Sequence, residues 1–532
     1  MYTRKRRGRT NLSAFRRFRR DESGGMIIFT LYILLCMLLA IGLSLDTVRF
    51  EYTRAKLQHT LDRAVLAAAN LEQVLDPKDV VEDYFAKAGL ADNLVSVNVE
   101  QGINYRTVSA RSEARIDTMF IDMVGIKSLT VPASGAANES LADIEIALVL
   151  DNSGSMREGT PTRLQLLKDA ANEFIDAVAR DEADQDGTTA ISIVPFSEQV
   201  SLGETMFNQY STTSEQDRTR CVTFTESQFS SVSLPPTEPL LRTMHFDAQN
   251  SQWYVSDAVC DTSGDRDIAA WSTDPDYLKS RINAMQHGGW TSIDVGTKWG
   301  VTMLDPVSQP VLSALIDAGE VDKSLEGQPF AYDRDNTKKV LVVMSDGANT
   351  VQREVRPGYR EGNSPLYLYR YYGRDYYSYY HDRPGTSYDY YSHYHKAWRR
   401  DPVGGNDADR LTWPEVWADM SVIRYAYEFP SRIFGGSYWT YYDQMVEEIG
   451  SKTATAWDGN VKNPRTSAIC DAAKQAGILI FTIGMDTDDP AADMALEDCA
   501  SLPTYYYDVR SLDISNAFAS IALQINQLRL TQ

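Results

Sequence analysis

The chain has little of the residues that carry most metal–thiolate and acid–base chemistry: 5 cysteines and 6 histidines among 532 residues. No two cysteines form a Cys-x-x-Cys pair and none has histidines nearby, which excludes a structural zinc site of the finger or ribbon kind. A Gly-x-Ser-x-Gly elbow and a Gly-x-x-x-x-Gly-Lys phosphate loop are both missing, so neither of those hydrolytic frameworks applies. Positive charge is scarce too, at 52 Lys and Arg against 73 Asp and Glu. Nine of the basic residues (Arg4, Lys5, Arg6, Arg7, Arg9, Arg16, Arg17, Arg19, Arg20) crowd into the first 20 positions, which hold no acid. The remaining body carries a net charge of −30, which repels phosphate backbones and argues against a nucleic-acid partner.

What is present begins with an uncharged run of 22 residues, 24–45. As a helix it measures about 33 Å, enough to cross the hydrocarbon core of a bilayer. The basic flank marks the cytoplasmic side and places the rest of the chain across the membrane. A cleaved signal peptide fits less well, because Leu43-Ser-Leu-Asp46 lacks a small-x-small cleavage pattern. These features predict a cytoplasmic arm over 1–23, a transmembrane helix over 24–45, a helix with a small α+β unit over 46–140, and an α/β domain over 141–532 with insertions at about 198–287 and 351–464. Beyond Cys36, inside the span, stand Cys221, Cys260, Cys470 and Cys499. In an oxidising compartment four cysteines support two bridges; sequence proximity favours Cys221 with Cys260 and Cys470 with Cys499, out of three possible connectivities.

The helix after the span is expected to continue from Asp46 to Leu75, where Asp76-Pro77 stops it. Its seam of Leu57, Leu61, Ala64, Ala68, Leu71 and Leu75 suits packing on a head domain or, over a short stretch, on a neighbouring helix. Strands are expected at 94–99, 106–115 and 129–131, with a helical turn near 118–124.

The chemistry concentrates where apolar runs end. Ile146-Ala-Leu-Val-Leu150 reads as a buried parallel strand, and Asp151-Asn-Ser153-Gly-Ser155 follows it. In open α/β sheets the carboxyl ends of strands hold the ligand sites, and Gly154 permits the turn that aims Ser153 and Ser155 at one spot. Val340-Leu-Val-Val-Met-Ser-Asp346-Gly347 is a second such run, and Gly288-Gly-Trp-Thr291 offers a hydroxyl before a helix. Carboxylates and hydroxyls without histidine suit a hard cation, Mg²⁺ or alternatively Mn²⁺ or Ca²⁺.

These three segments resemble the von Willebrand factor type A domain, a doubly wound, Rossmann-like α/β fold. Its metal-ion-dependent adhesion site takes Asp-x-Ser-x-Ser from one loop, Thr from a second and Asp from a third. The resemblance implies Asp151, Ser153, Ser155, Thr291 and Asp346 as metal ligands. An Asp or Glu of a protein partner is then expected to complete the coordination. Asp21-Glu-Ser-Gly-Gly25, Asp46, Leu57-Gln-His-Thr-Leu-Asp62-Arg-Ala64 and Ala67-Ala-Ala69 resemble TadG-like proteins of the bacterial tight-adherence (Flp-type) pilus system. That resemblance implies the inner membrane, with the N-terminus cytoplasmic, the type A domain periplasmic, and pilus-assembly components as partners. Processed pilin-like subunits carry Glu at the fifth position of the apolar run; here Gly25 is followed by Met26-Ile-Ile-Phe-Thr30, which favours a permanent anchor.

The expected function is an accessory protein of pilus assembly that binds a partner through the metal site. The alternative is a surface adhesin using the type A domain and the tyrosine-dense stretch 367–394 on matrix or glycan. A metal-dependent hydrolase ranks below both, since no catalytic residue is identifiable: the set contains no histidine, and its serines are the metal's own ligands. His381, His393 and His395 read as surface residues of the insertion.

Overall fold

The computed structural model describes residues 23–70, 75–101, 105–140, 143–179, 187–248, 254–334, 337–450, 461–487 and 489–530. The basic residues Arg4 to Arg20, and Leu71 of the helical seam, lie outside them. The chain divides into two units, Met1–Ser140 and Leu141–Gln532.

The first unit is built on one helix, α1 (Ser23–Ala69), 47 residues without a proline. Its N-terminal half is long and apolar enough to cross a membrane. Its C-terminal half buries Leu57, Leu61, Ala64 and Ala68 completely. They pack against Val108, Ala110 and Ala114 of β2 (Tyr105–Asp117) and Val131 and Ala133 of β3 (Ser128–Ser140). Alternate residues of each strand face the helix, as a half-buried sheet requires. With β1 (Leu94–Gln101) these strands form an antiparallel sheet in the order β1-β2-β3. The seam is therefore covered by the unit's own sheet. The helix stops at Ala69, short of the expected Leu75, and Leu75 is exposed. Asp76-Pro77 starts a helix here: the Asp76 carboxylate accepts from the N–H groups of Lys78 and Asp79 and caps α2 (Pro77–Lys87), with Pro77 in its first turn. The third strand, expected at 129–131, runs on to Ser140.

The second unit centres on a six-stranded sheet. It is formed by β4 (Asp143–Asp151), β5 (Thr189–Phe196), β6 (Ala269–Ser272), β7 (Thr337–Ser345), a strand over Leu479–Met485 and one over Tyr506–Val509. From one edge the order is Tyr506–Val509, Leu479–Met485, β7, β4, β5, β6, parallel throughout except for β6. β4 is buried along its whole length, the signature of a strand covered on both faces. Ile146, Leu148 and Leu150 pack with Leu167 and Phe174 of α3 (Arg163–Val178) and Phe518 and Ile521 of the last helix, Ile514–Leu530. Ala147 and Val149 pack on the opposite face with Trp299 of α4 (Ile293–Leu304) and Ile469 of α5 (Lys462–Gln475). Gly300 places α4 directly on Val149 and Leu341, with no room for a Cβ.

The segment 198–287 does not stand wholly apart from the sheet: it supplies β6, the antiparallel edge, and the helix Pro275–Ala284. Its other part joins the second insertion in a shared core, where Met244 and Phe246 pack with Leu366, Leu368, Trp417 and Phe429. The tyrosine-dense stretch is ordered in a five-stranded antiparallel sheet that includes Asn363–Tyr371 and Arg374–Tyr380. Leu366 and Leu368 face inward, while Tyr367, Tyr369 and Tyr371 alternate on the outer face. His381 and His393 are packed against Phe434 and Phe429, and no group of three or more His, Cys, Asp or Glu among the described residues is placed to hold a metal. Both disulfides form as sequence proximity favours, Cys221–Cys260 and Cys470–Cys499. Cys36 is free and exposed.

Candidate metal centre

The site forms where the two central strands end side by side. Leu150 of β4 is in register with Met344 of β7, so Asp151 emerges beside Ser345 and Asp346. Asp151 folds the chain back on itself: its Oδ1 accepts the N–H of Ser153 at 2.8 Å, an Asx turn. Its Oδ2 accepts the Ser345 hydroxyl at 2.6 Å. Ser153 Oγ and Ser155 Oγ are 3.0 Å apart, and Ser155 Oγ donates to Asp346 Oδ1 at 2.7 Å. Four of the five sequence-derived ligands are thus joined in one hydrogen-bonded set, with Ser155 at its half-exposed mouth.

Thr291 arrives on the neighbouring loop. Gly154 N–H donates to Gly289 O at 3.0 Å and Gly288 N–H to Asn152 O at 3.0 Å, stitching the two loops together. The approach is close enough that a Cβ on Gly154 would lie 3.1 Å from Gly289 O, and Gly289 itself has φ +75°. Thr291 is buried, and its backbone is held by Thr350, whose Oγ1 accepts the Thr291 N–H and whose N–H donates to Thr291 O.

Electrostatics explain what this arrangement suits. Burial, with the nearby Asp346 charge, pushes the Asp151 carboxyl up to about 7. Burial also raises Asp346, against the opposing pull of Ser155 and Arg163. Two buried carboxylates close together disfavour their own ionisation, and a dication offsets that cost. Two carboxylates and three hydroxyls are hard oxygen donors, a set that fits Mg²⁺, Mn²⁺ or Ca²⁺.

Sequence reasoning missed three residues. Ser345, adjacent to Asp346, bonds Asp151. Arg163, the first residue of α3, puts Nη1 3.0 Å from Asp346 Oδ2 and 3.4 Å from Glu158, and its Nε lies 3.5 Å from Asp486. Lys462, fully buried at the start of α5, donates to Thr291 O at 2.8 Å, to Thr350 O at 3.1 Å and to Ser292 Oγ. Burial pulls the Lys462 ammonium below its ordinary range even with Asp294 and Glu198 facing it. Glu198, itself pushed up to about 7 by burial, accepts the N–H of Arg353. Asp294 stands 3.9 Å from Lys462 and 3.6 Å from Arg465.

Arg163 places a like charge where a cation would bind. At an effective dielectric of about 20, removing it favours a dication by roughly 1–2 kcal/mol after solvent screening, or about tenfold in affinity. Arg163→Met is expected to lower the Mn²⁺ dissociation constant by that factor in a calorimetric titration. An unchanged constant would mean that the guanidinium does not oppose the ion.

Two family models match this chain, one in each unit. The family model for putative Flp pilus-assembly TadE/G-like proteins matches residues 24–71, and that for the von Willebrand factor type A domain matches residues 146–230. The chain thus joins a TadE/G-like segment to a von Willebrand factor type A domain. Among solved structures it is similar to the vWF domain of the type V pili tip protein Mfa5 from Porphyromonas gingivalis, at 13% identity over 73% of this chain and 97% of that one, with a TM-score of 0.33. It is similar to the pilus adhesin SpaC from Lactobacillus rhamnosus GG at 11% identity, over 81% of this chain but 34% of that one, with a TM-score of 0.31. Proximal thread matrix protein 1 from the mussel byssus, with a zinc-occupied MIDAS motif, is similar at 11% identity over 72% and 47% of the two chains, with a TM-score of 0.26. No match was found among curated proteins.

Proposed function

We propose that this protein is a membrane-anchored accessory component of tight-adherence pilus assembly whose exported type A domain docks a carboxylate of a protein partner through a divalent cation. The observation that carries the reading is the convergence of Ser153, Ser155 and Asp346 beside Asp151 at the carboxyl ends of the two central strands. Asp151, Ser153, Ser155, Thr291 and Asp346 would hold the ion, Mg²⁺ first and Mn²⁺ or Ca²⁺ as alternatives. Bound there, the ion supplies an electrophile for an incoming Asp or Glu oxygen. The residues of the chain do the rest: Ser345 orients Asp151, and the Lys462 ammonium fixes the backbone of the Thr291 loop. The binding reading is favoured over hydrolysis because the set holds no general base beyond the ligands themselves. The anchor reading rests on α1 and the TadE/G-like match, with the arm cytoplasmic and the second unit periplasmic.

The test is capture of pilus-assembly proteins from a membrane extract by the full chain, in Mg²⁺ and in chelator. Capture that is lost in chelator and restored by Mg²⁺ is expected; equal capture in both would sink the docking role. A second reading, attachment to matrix or glycan, is favoured by the outer face of the insertion sheet. There Tyr367 and Tyr390 lie 5.2 Å apart between ring centroids, Tyr376 and Tyr394 5.1 Å, and Arg410 stacks over Tyr367. Release of this domain by protease shaving of intact cells would support it.

A further inference from the structure

We infer that the first unit makes a second contact with lipid: the loop 118–127 between β2 and β3 seats its apolar side chains in the membrane interface beside the helix. The inference rests on the reading of α1 as a membrane span.

The loop departs from what a water-facing turn requires. Met119 and Met123 are 62% and 70% exposed, and Ile126 and Phe120 are exposed as well. Four large apolar side chains exposed within ten residues are a concentration of the kind that marks an interaction surface. Gly125, at φ +94°, closes the single helical turn Ile121–Val124 that presents Met123.

The position of the loop along α1 is fixed. The buried Asp46 carboxylate accepts the N–H groups of Met119 at 3.0 Å, Phe120 at 2.8 Å and Ile121 at 2.9 Å, and so caps that turn. Arg49 adds a bond to Asp117 O at 3.2 Å. Phe120 lies over Gly42, where its ring leaves no room for a Cβ.

This geometry decides the occupant. Gly42 is three residues inside the apolar run, so the loop is pinned about 5 Å below its end along the helix axis. Apart from Gly42 beneath Phe120, the helix surface is exposed from Met26 to Leu45, and the loop adds its apolar side chains beside it. A bilayer that covers the helix as far as Leu45 must therefore cover the loop. The depth is interfacial, because Asp122 and Lys127 on the same loop are exposed and require headgroup or water contact. The exposed Tyr52, two turns further along α1, sits where interfacial aromatics are favoured.

The test uses the full chain in phospholipid vesicles, with Cys36→Ser removing the free thiol. A cysteine carrying an environment-sensitive fluorophore is placed in turn at Met123, Leu35 and Lys87. Lys87 lies beside Arg63, about 30 Å further along the axis from Gly42, and serves as the water-side control. Lipids carry a nitroxide quencher either near the headgroup or deep in the acyl chain. The Met123 probe is expected to lose about half its emission to the shallow quencher and less to the deep one. The Leu35 probe should respond more to the deep quencher, and the Lys87 probe to neither. A Met123 probe that neither quencher reaches, while Leu35 is quenched, overturns the inference and leaves the span intact. A blue-shifted but unquenched Met123 probe overturns it in favour of contact with protein, such as a second copy. An unquenched Leu35 probe removes the spanning helix and the inference with it.

Discussion

Replacing Asp151 by asparagine is expected to abolish Mn²⁺ binding while making the chelator-treated domain more stable. The two effects share one cause. Asp151 is fully buried next to a second buried carboxylate, so its charge is a cost to the folded domain unless a cation offsets it. Asparagine keeps an oxygen to accept the Ser153 N–H, and its amide can donate to Ser345 Oγ, so no buried partner is orphaned. The charge disappears without a cavity, and the gain should be about 1–2 kcal/mol, a rise of a few degrees in melting temperature. On the proposed site, loss of the Asp151 carboxylate should weaken Mn²⁺ binding by about 100-fold, since losses at outer-shell partners alone cost 10–100-fold. Titration followed by electron paramagnetic resonance, with scanning calorimetry in chelator, reads both. Unchanged Mn²⁺ affinity would remove Asp151 from the site, and a fall in both quantities would mark Asp151 as structural.

Lys462→Met should give the largest loss of stability in the second unit, about 3–5 kcal/mol, the range for removing one partner of a buried charge pair. The ammonium is fully buried and donates to two backbone carbonyls and the Ser292 hydroxyl. Its removal leaves those acceptors without it and deprives Asp294, which burial already raises, of one of its two neighbouring cations. The accompanying change Asp294→Asn should recover a large part of the loss, because the stranded charge is the main penalty. Chemical denaturation of wild type, both single variants and the double variant measures the coupling. Equal losses in Lys462→Met and the double variant would show that the carbonyl bonds, not the charge, dominate.

The central strands were legible because each contains a short apolar run, 146–150 or 340–344, shortly before Asp151 or Asp346, and a strand buried on both faces leaves that trace locally. The first loop of the candidate site was legible for a similar reason: carboxylate, hydroxyls and glycine stand within five residues, 151–155. Lys462 left no such trace. It meets Thr291 across 171 residues of sequence, and it lies in a stretch that reads as insertion. Arg163 looked like an ordinary helix start, because its three carboxylate partners come from three different segments. Asp76-Pro77 was read as a helix stop and is a helix start, since Asp before Pro suits an N-cap as well as an end, and the first helix already stops at Ala69. The fold of the tyrosine stretch was hidden because its inward leucines share a core with Met244 and Phe246 of the other insertion, a pairing no local pattern records.

α1 runs from its apolar half into its sheet-covered half with no proline, turn or break between Leu45 and Leu57. At 1.5 Å per residue it is a shaft about 70 Å long. A shaft without a joint transmits torsion: turning its lipid-facing half about its own axis turns Leu57, Leu61 and the strands clamped on them through the same angle. On the proposed membrane span, a neighbouring helix in the bilayer would have a mechanical handle on the first unit that requires no contact outside the membrane.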